Sequence, residues 1–406
     1  MSERPLSLFR RNQWALSLAQ LFSGIGIATG FAVGGILAER LTGRTEFAGF
    51  AQTASILGAG LLAMPLARLA ERRSRRRALG AAYAIALCGA VLIVLAIMGG
   101  INAAFFIGMG CFGAATAAGL QGRYAATDAA PDHLKGSAMS VVVWATTIGS
   151  VAGPNLSGPG AKLGASLGLD PLSGPFVIAI AGFGLSLVSV LFLRRASPVV
   201  RSKSKTGRRG GTWEAIQSSP SALMGLLTVI TGHMIMVSTM VMTPLHMDHN
   251  GLGLELIGIT IGGHILGMYG LSPLFGYLTD RFSAGWVILA GHVLFGLSLA
   301  FGLVDALTES SFLRVSIALF LLGLGWSACL IAGSTLLTKE IDAEHRTSVQ
   351  GISDAGMNLG AAALAALSGP LLAFGGFASI TVMGSAVLMI AVIASVRAGY
   401  GPRAQS

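Results

Sequence analysis

Apolar residues run through this chain in long, nearly charge-free blocks separated by short polar breaks. Twelve such blocks follow one another, roughly 13–37, 46–70, 77–99, 101–122, 136–158, 175–193, 220–246, 254–279, 285–304, 313–337, 348–372 and 377–396. About 20 apolar residues, wound as a helix, cross about 30 Å of hydrocarbon. The pattern predicts an all-α membrane protein with twelve transmembrane helices. The first block is too long for a cleavable signal peptide and shows no short-side-chain cleavage site, so it reads as the first span.

The polar breaks organise the blocks. The longest, RRASPVVRSKSKTGRRGGTWEAIQSS, falls between the sixth and seventh blocks. It divides the chain into an N-terminal six-helix lobe (1–193), a cytoplasmic linker (194–219) and a C-terminal six-helix lobe (220–406). The lobes echo each other. ARLAERRSRRR (67–77) follows the second block and GYLTDRFSAGW (276–286) follows the eighth, and His133 to Pro159 is echoed by His345 to Pro370. One six-helix unit duplicated is an arrangement that forms a substrate site near the midplane, between the repeats.

Composition agrees with burial in lipid: 53% of residues are hydrophobic and 11% charged, against about 25% charged in a soluble domain. The net charge of +10 does not point to nucleic acid as a partner. With the N-terminus inside, 23 of 27 Lys and Arg lie in cytoplasmic segments, and only Arg40, Arg44, Lys162 and Arg314 lie on the other side. This positive-inside bias predicts both termini in the cytoplasm. Cys88, Cys111 and Cys329 all lie within predicted helices and form no disulfide framework.

Both repeated loops resemble the loop signature of the major facilitator superfamily, G-x-L-x-D-R-x-G-R-R-R. The second keeps Gly276, Leu278, Asp280 and Arg281, while the first has Ala67 for Gly and Glu71 for Asp. The resemblance covers nearly the whole chain and implies the twelve-helix, two-lobe fold and alternating access. An acid and an arginine in a short loop can clamp neighbouring helix ends in one state and release them in the other, which makes Glu71, Arg72, Asp280 and Arg281 gating candidates. Topology alone explains Arg75 to Arg77.

HMIMVSTMVM (233–242) concentrates soft donors. His233 to His249 holds eight of the chain's 22 Met and His residues in seventeen positions. Residues four apart share a helix face, so Met236 pairs with Met240, and in GGHILGMYG His264 pairs with Met268. Where the two faces meet, they form a descending ladder of three thioethers and one imidazole. Such donors suit Cu(I); calcium, magnesium and manganese want oxygen, and zinc more His, Cys or carboxylate. Methionine is also a flexible core filler, and core packing stays open as a reading of the stripe. His233, His246 and His249 are accessory metal candidates. Asp354, about two turns inside the eleventh span, is a candidate for coupling or for an interhelical hydrogen bond.

M-x-x-x-M in the seventh helix with H-x-x-x-M in the eighth resembles the CcoA-like copper importers, a branch of the same superfamily, as does Arg123 to Leu156. By that resemblance Met236, Met240, His264 and Met268 bind copper. Transport is then inward across a bacterial inner membrane, supplying a cytoplasmic acceptor and assembly of a cbb3-type cytochrome c oxidase. A similar riboflavin-importing branch lacks these pairs, and Gly149 to Gly158 resembles the fifth-helix motif of drug/proton antiporters; both remain alternatives. No phosphate-cradling loop, nucleophile elbow or carboxylate–His cluster is present, so the chain reads as a transporter and not an enzyme. No cofactor is expected: copper is cargo and the lipid bilayer the surroundings.

Overall fold

The computed structural model describes residues 3–128, 130, 135–194, 209–339, 341 and 343–397. Among these the regular structure is helical, with no strand. In chain order the helices are α1 (Glu3–Thr42), α2 (Ala48–Arg72), α3 (Arg75–Gly99), α4 (Asn102–Phe112), α5 (Ala114–Asp128), α6 (Lys135–Asn155), α7 (Ser157–Ser166) and α8 (Gly174–Leu191). They continue as α9 (Arg209–Ser218), α10 (Pro220–His249), α11 (Leu254–Gly270), α12 (Ser272–Arg281), α13 (Ala284–Leu307), α14 (Phe312–Lys339) and α15 (Ala343–Arg397).

Each predicted apolar block is helical. Ten helical runs among the described residues are long and apolar enough to cross a membrane. The last, Val349–Arg397, holds two blocks: α15 breaks at Gly375 and Gly376, the latter at φ 61 and ψ −165. Only glycine adopts that conformation without strain, so the break gives spans eleven and twelve. The block 136–158 is carried mainly by α6.

The chain divides into two compact units, Met1–Arg201 with Gly251–Gly262, and Ser202–Asn250 with Gly263–Ser406. In the first, α1 packs on α6 and α8. A Cβ added to Gly149 would lie 2.1 Å from Leu21 O, and one on Gly113 2.0 Å from Ser55 O. Missing side chains let backbones approach this closely, as is common where lipid gives no hydrophobic drive between helices. In the second unit α10 packs on α14 and α15, and α13 on α14.

The last part of the linker is helical, which its composition does not predict. Residues 195–208 lie outside the described residues, but 209–218 form α9. Ile216, fully buried, anchors this helix in a cluster with Leu226, Leu337 and Val349, leaving Trp213 exposed. One apolar contact of this kind turns a polar stretch into a docked helix. Ser219 then caps α10 by accepting from Ala222 N, with Pro220 in the first turn, where a missing N–H costs nothing.

Candidate functional site

Helix α10 presents two stripes within the second unit. Along one, Ile230, Met234 and Ser238 recur every four residues and meet α15. Added Cβ atoms on Gly356 and Gly360 would touch Ile230 at 2.5 Å and Met234 Sδ at 2.9 Å, and Ser368 Oγ donates to Ser238 O at 3.4 Å. Along the other, Gly225, Gly232 and His233 meet α14, where a Cβ on Gly225 would lie 2.4 Å from Gly333 O. Met236 follows Gly232 by four positions and so continues the α14 stripe rather than that of Met234. Met236 is buried and Met240 half-buried.

Helix α11 lies against α14 through glycine. A Cβ on Gly323 would stand 2.4 Å from His264 O and 2.9 Å from Met268 N, and one on Gly267 2.7 Å from Phe320 O. This contact buries His264 completely and leaves Met268 8% exposed. His264 Nδ1 lies 2.7 Å from Leu319 O. A carbonyl only accepts, so Nδ1 carries the proton and Nε2 presents a bare lone pair. That Nε2 is buried and has no hydrogen-bond partner among the described residues. A metal-ligating imidazole is commonly held by such a bond from its other nitrogen.

His233 is hydrogen-bonded to α14. Trp326 Nε1 donates to His233 Nδ1 at 2.9 Å; indole N–H only donates, so the proton of a neutral His233 sits on Nε2. The rings of Trp326 and Tyr269 meet in a T-shaped arrangement, with centroids 5.7 Å apart. Trp326 thereby links α10, one turn from Met236, to α11, next to Met268. His264 and Met268 thus lie beside α14, and Met236 lies one turn from His233, which Trp326 of α14 engages. Sequence patterning passes over Trp326 and Tyr269; the available signal was an indole and a phenol inside otherwise aliphatic spans.

At the far end of α10, His246 is engaged. Its Nε2 donates to Asp305 Oδ2 at 2.9 Å, its Nδ1 lies 3.4 Å from Asn250 Nδ2, and its ring stacks on Phe377 at 4.4 Å. Asp305, fully buried, also accepts from Ser310 Oγ at 2.7 Å and Ser311 N at 2.9 Å, with Arg314 Nη1 at 3.6 Å. Buried charge persists where it is paired and hydrogen-bonded. His246 is therefore a structural anchor here. Asp305 falls just past the predicted ninth span, and its signal was nearness in sequence to Arg314. His249 is exposed.

Among the described residues no three His, Cys, Asp or Glu gather to hold a metal. Thioethers with one imidazole are the soft-donor set that α10 and α11 supply. Asp280 is exposed and has no ion-pair partner among the described residues, while Arg281 turns to Tyr277 and Phe282. Arg72 is exposed, and the side chain of Glu71 lies outside the described residues. Asp354 is exposed on α15, with Asn358 Nδ2 donating to its carbonyl at 2.8 Å. All three cysteines are free thiols.

The profile described as Major Facilitator Superfamily matches residues 16–271 and 238–405. An uncharacterized MFS-type transporter, YdeG of Bacillus subtilis (strain 168), is 34% identical over 96% of this chain and 93% of its own. The riboflavin transporter RfnT of Brucella anthropi is 27% identical over 85% of each chain. Among solved structures, a bacterial homolog of the human lysosomal transporter Spinster superposes with TM-score 0.75 at 13% identity, covering 99% of this chain and 100% of that one. The nucleoside transporter NupG gives 0.68 at 14%, covering 97% and 98%. Its helical spans, this fold and these relatives together make the chain a multi-pass secondary transporter, not an enzyme, that belongs to the major facilitator superfamily.

Proposed function

We propose that the transporter imports copper by alternating access, with Met236, Met240, His264 and Met268 carrying the ion one or two ligands at a time. The observation that carries this reading is the buried, unpartnered Nε2 of His264, its lone pair exposed by the Nδ1 hydrogen bond to Leu319 O. An imidazole so prepared binds a soft cation without first losing a proton, and thioethers need no deprotonation either. No buried anion is then left behind when the ion moves on. Inward transport across a bacterial inner membrane, both termini in the cytoplasm, delivery to a cytoplasmic acceptor and supply of a cbb3-type oxidase belong to the same proposal.

A second reading, riboflavin import, is favoured by the similarity to the Brucella transporter, and the Trp326–Tyr269 pair offers a planar ligand aromatic surface. Uptake of radiocopper and of labelled riboflavin, in cells with and without the protein, separates the two. Copper uptake that requires the protein, with riboflavin uptake unchanged, is the expected result. Protein-dependent riboflavin uptake without copper uptake would overturn the copper reading.

A further inference from the structure

The first unit carries a charged cleft that transport of a cation does not use. It has a volume of about 700 Å³ and lies between the start of α3 and the end of α8, lined by Arg76, Arg77 and Arg194 together with Gly80, Leu191 and Leu193. The arginine run that follows α2 is not uniform in the fold. Arg75 turns inward, its Nη1 donating to Gln121 Oε1 at 2.6 Å, whereas Arg76 and Arg77 are exposed. Opposite them the chain leaving α8 is pinned. Arg11 Nε donates to Phe192 O at 3.2 Å, Asn12 Nδ2 to Arg194 O at 3.1 Å, and Arg194 N to Asn12 Oδ1 at 3.0 Å. Arg194 is thus presented from a backbone held at both its N–H and its carbonyl.

None of the three guanidinium groups has a carboxylate within ion-pair distance among the described residues. The rest of the lining is Ser74, Gly80, Ala81, Leu191 and Leu193, apolar but for the serine, and Gly80 adds no side chain to it. Leu191, which lines the cleft, stands 53% exposed, and Phe192, next to it in the chain, 57%, on a protein whose spans face lipid. A cationic rim above an apolar wall fits an amphiphile with an anionic head. A free inorganic anion gains nothing from the leucines, and a neutral lipid gains nothing from the arginines.

We propose that this cleft binds an anionic phospholipid, its phosphodiester held by Arg76, Arg77 and Arg194 and its acyl chain laid along Leu191 and Phe192. Guanidinium groups suit the head because they present paired N–H donors to phosphate oxygens, and basic pockets between spans are a recognised form of headgroup site. The site is independent of what the protein transports.

Native mass spectrometry of the purified full chain, titrated with dioctanoyl phosphatidylglycerol or dioctanoyl phosphatidylcholine, tests this. The wild type should take up phosphatidylglycerol preferentially at low stoichiometry. Each arginine near a charged headgroup is worth about fivefold, so Arg76→Gln, Arg77→Gln and Arg194→Gln combined should weaken that binding about a hundredfold. Lys203→Gln, Lys205→Gln and Arg208→Gln, which remove the same charge from the linker, should not. If the triple variant fails to fold, the three single variants should each show the fivefold loss. Equal binding of the two lipids, or undiminished phosphatidylglycerol binding by the Arg variants, would overturn the proposal. Displacement of the lipid by inorganic phosphate at comparable concentration would overturn it in favour of a free-anion pocket.

Discussion

Replacing Gly323 by alanine tests whether the approach of α14 to α11 sets the cargo site. The new Cβ would stand 2.4 Å from His264 O and 2.9 Å from Met268 N, where ordinary contact begins at 3.4 Å. Both obstructing atoms are backbone, so no rotamer change relieves the clash, and α11 must retreat by about 1 Å. The 2.7 Å bond from His264 Nδ1 to Leu319 O is then stretched beyond useful length. Overpacking of this kind costs about 1–3 kcal/mol, and a lost buried hydrogen bond about 1 kcal/mol more. Gly263→Ala is the internal control. It sits beside His264 on the same helix, yet an added Cβ meets nothing within 4 Å, and alanine is favoured over glycine in a helix by up to about 1 kcal/mol. Thermal unfolding of the purified protein should therefore show Gly323→Ala falling by several degrees and Gly263→Ala unchanged or raised. Radiocopper uptake by cells should drop for Gly323→Ala and persist for Gly263→Ala. Equal melting and equal uptake of the two variants would refute the reasoning that this close approach positions His264.

The ladder itself predicts that Met236→Leu, Met240→Leu and Met268→Leu leave the protein folded, because such swaps cost under about 1.5 kcal/mol, yet abolish or sharply reduce copper uptake. His264→Ala should do the same. Met234→Leu, packed on Gly360, and Met242→Leu, fully buried, should transport normally; uniform uptake across all the leucine variants would make the stripe core filler. Asp305→Ala leaves His246 and Arg314 without their buried partner and should cost about 3–5 kcal/mol in thermal unfolding, with Asp305→Asn milder because its carbonyl still accepts Ser311 N; an unchanged melt would show the cluster carries no stability. Asp280→Asn should slow transport while leaving copper affinity intact, measured by uptake kinetics beside equilibrium binding, and the reverse pattern would remove it from gating. Lys205→Cys should resist an impermeant thiol reagent in intact cells, and labelling from outside would invert the assigned topology.

The sequence by itself determined the membrane class, the helical blocks and the superfamily loop signature. Each of these is a local quantity: the length of an apolar run, its freedom from charge, the repeat of a loop. The pairing of Met236 with Met240 and of His264 with Met268 was legible for the same reason, because helical periodicity is local. Tertiary structure decided what those residues face. Periodicity puts Met234 and Met236 in one apolar run, but packing sends Met234 to Gly360 on α15, while Met236 follows by four residues Gly232, whose neighbours lie on α14 and α13. His233, His246 and His264 look alike in sequence, yet Trp326 occupies the first, Asp305 the second, and only the third keeps a buried unpartnered nitrogen. These distinctions rest on hydrogen-bond partners 55 to 93 residues away in the chain, which no local pattern encodes. The arginine run after α2 divides in the same way: charge alone read it as a topology signal, and only folding turned Arg75 inward and set Arg76 and Arg77 opposite Arg194.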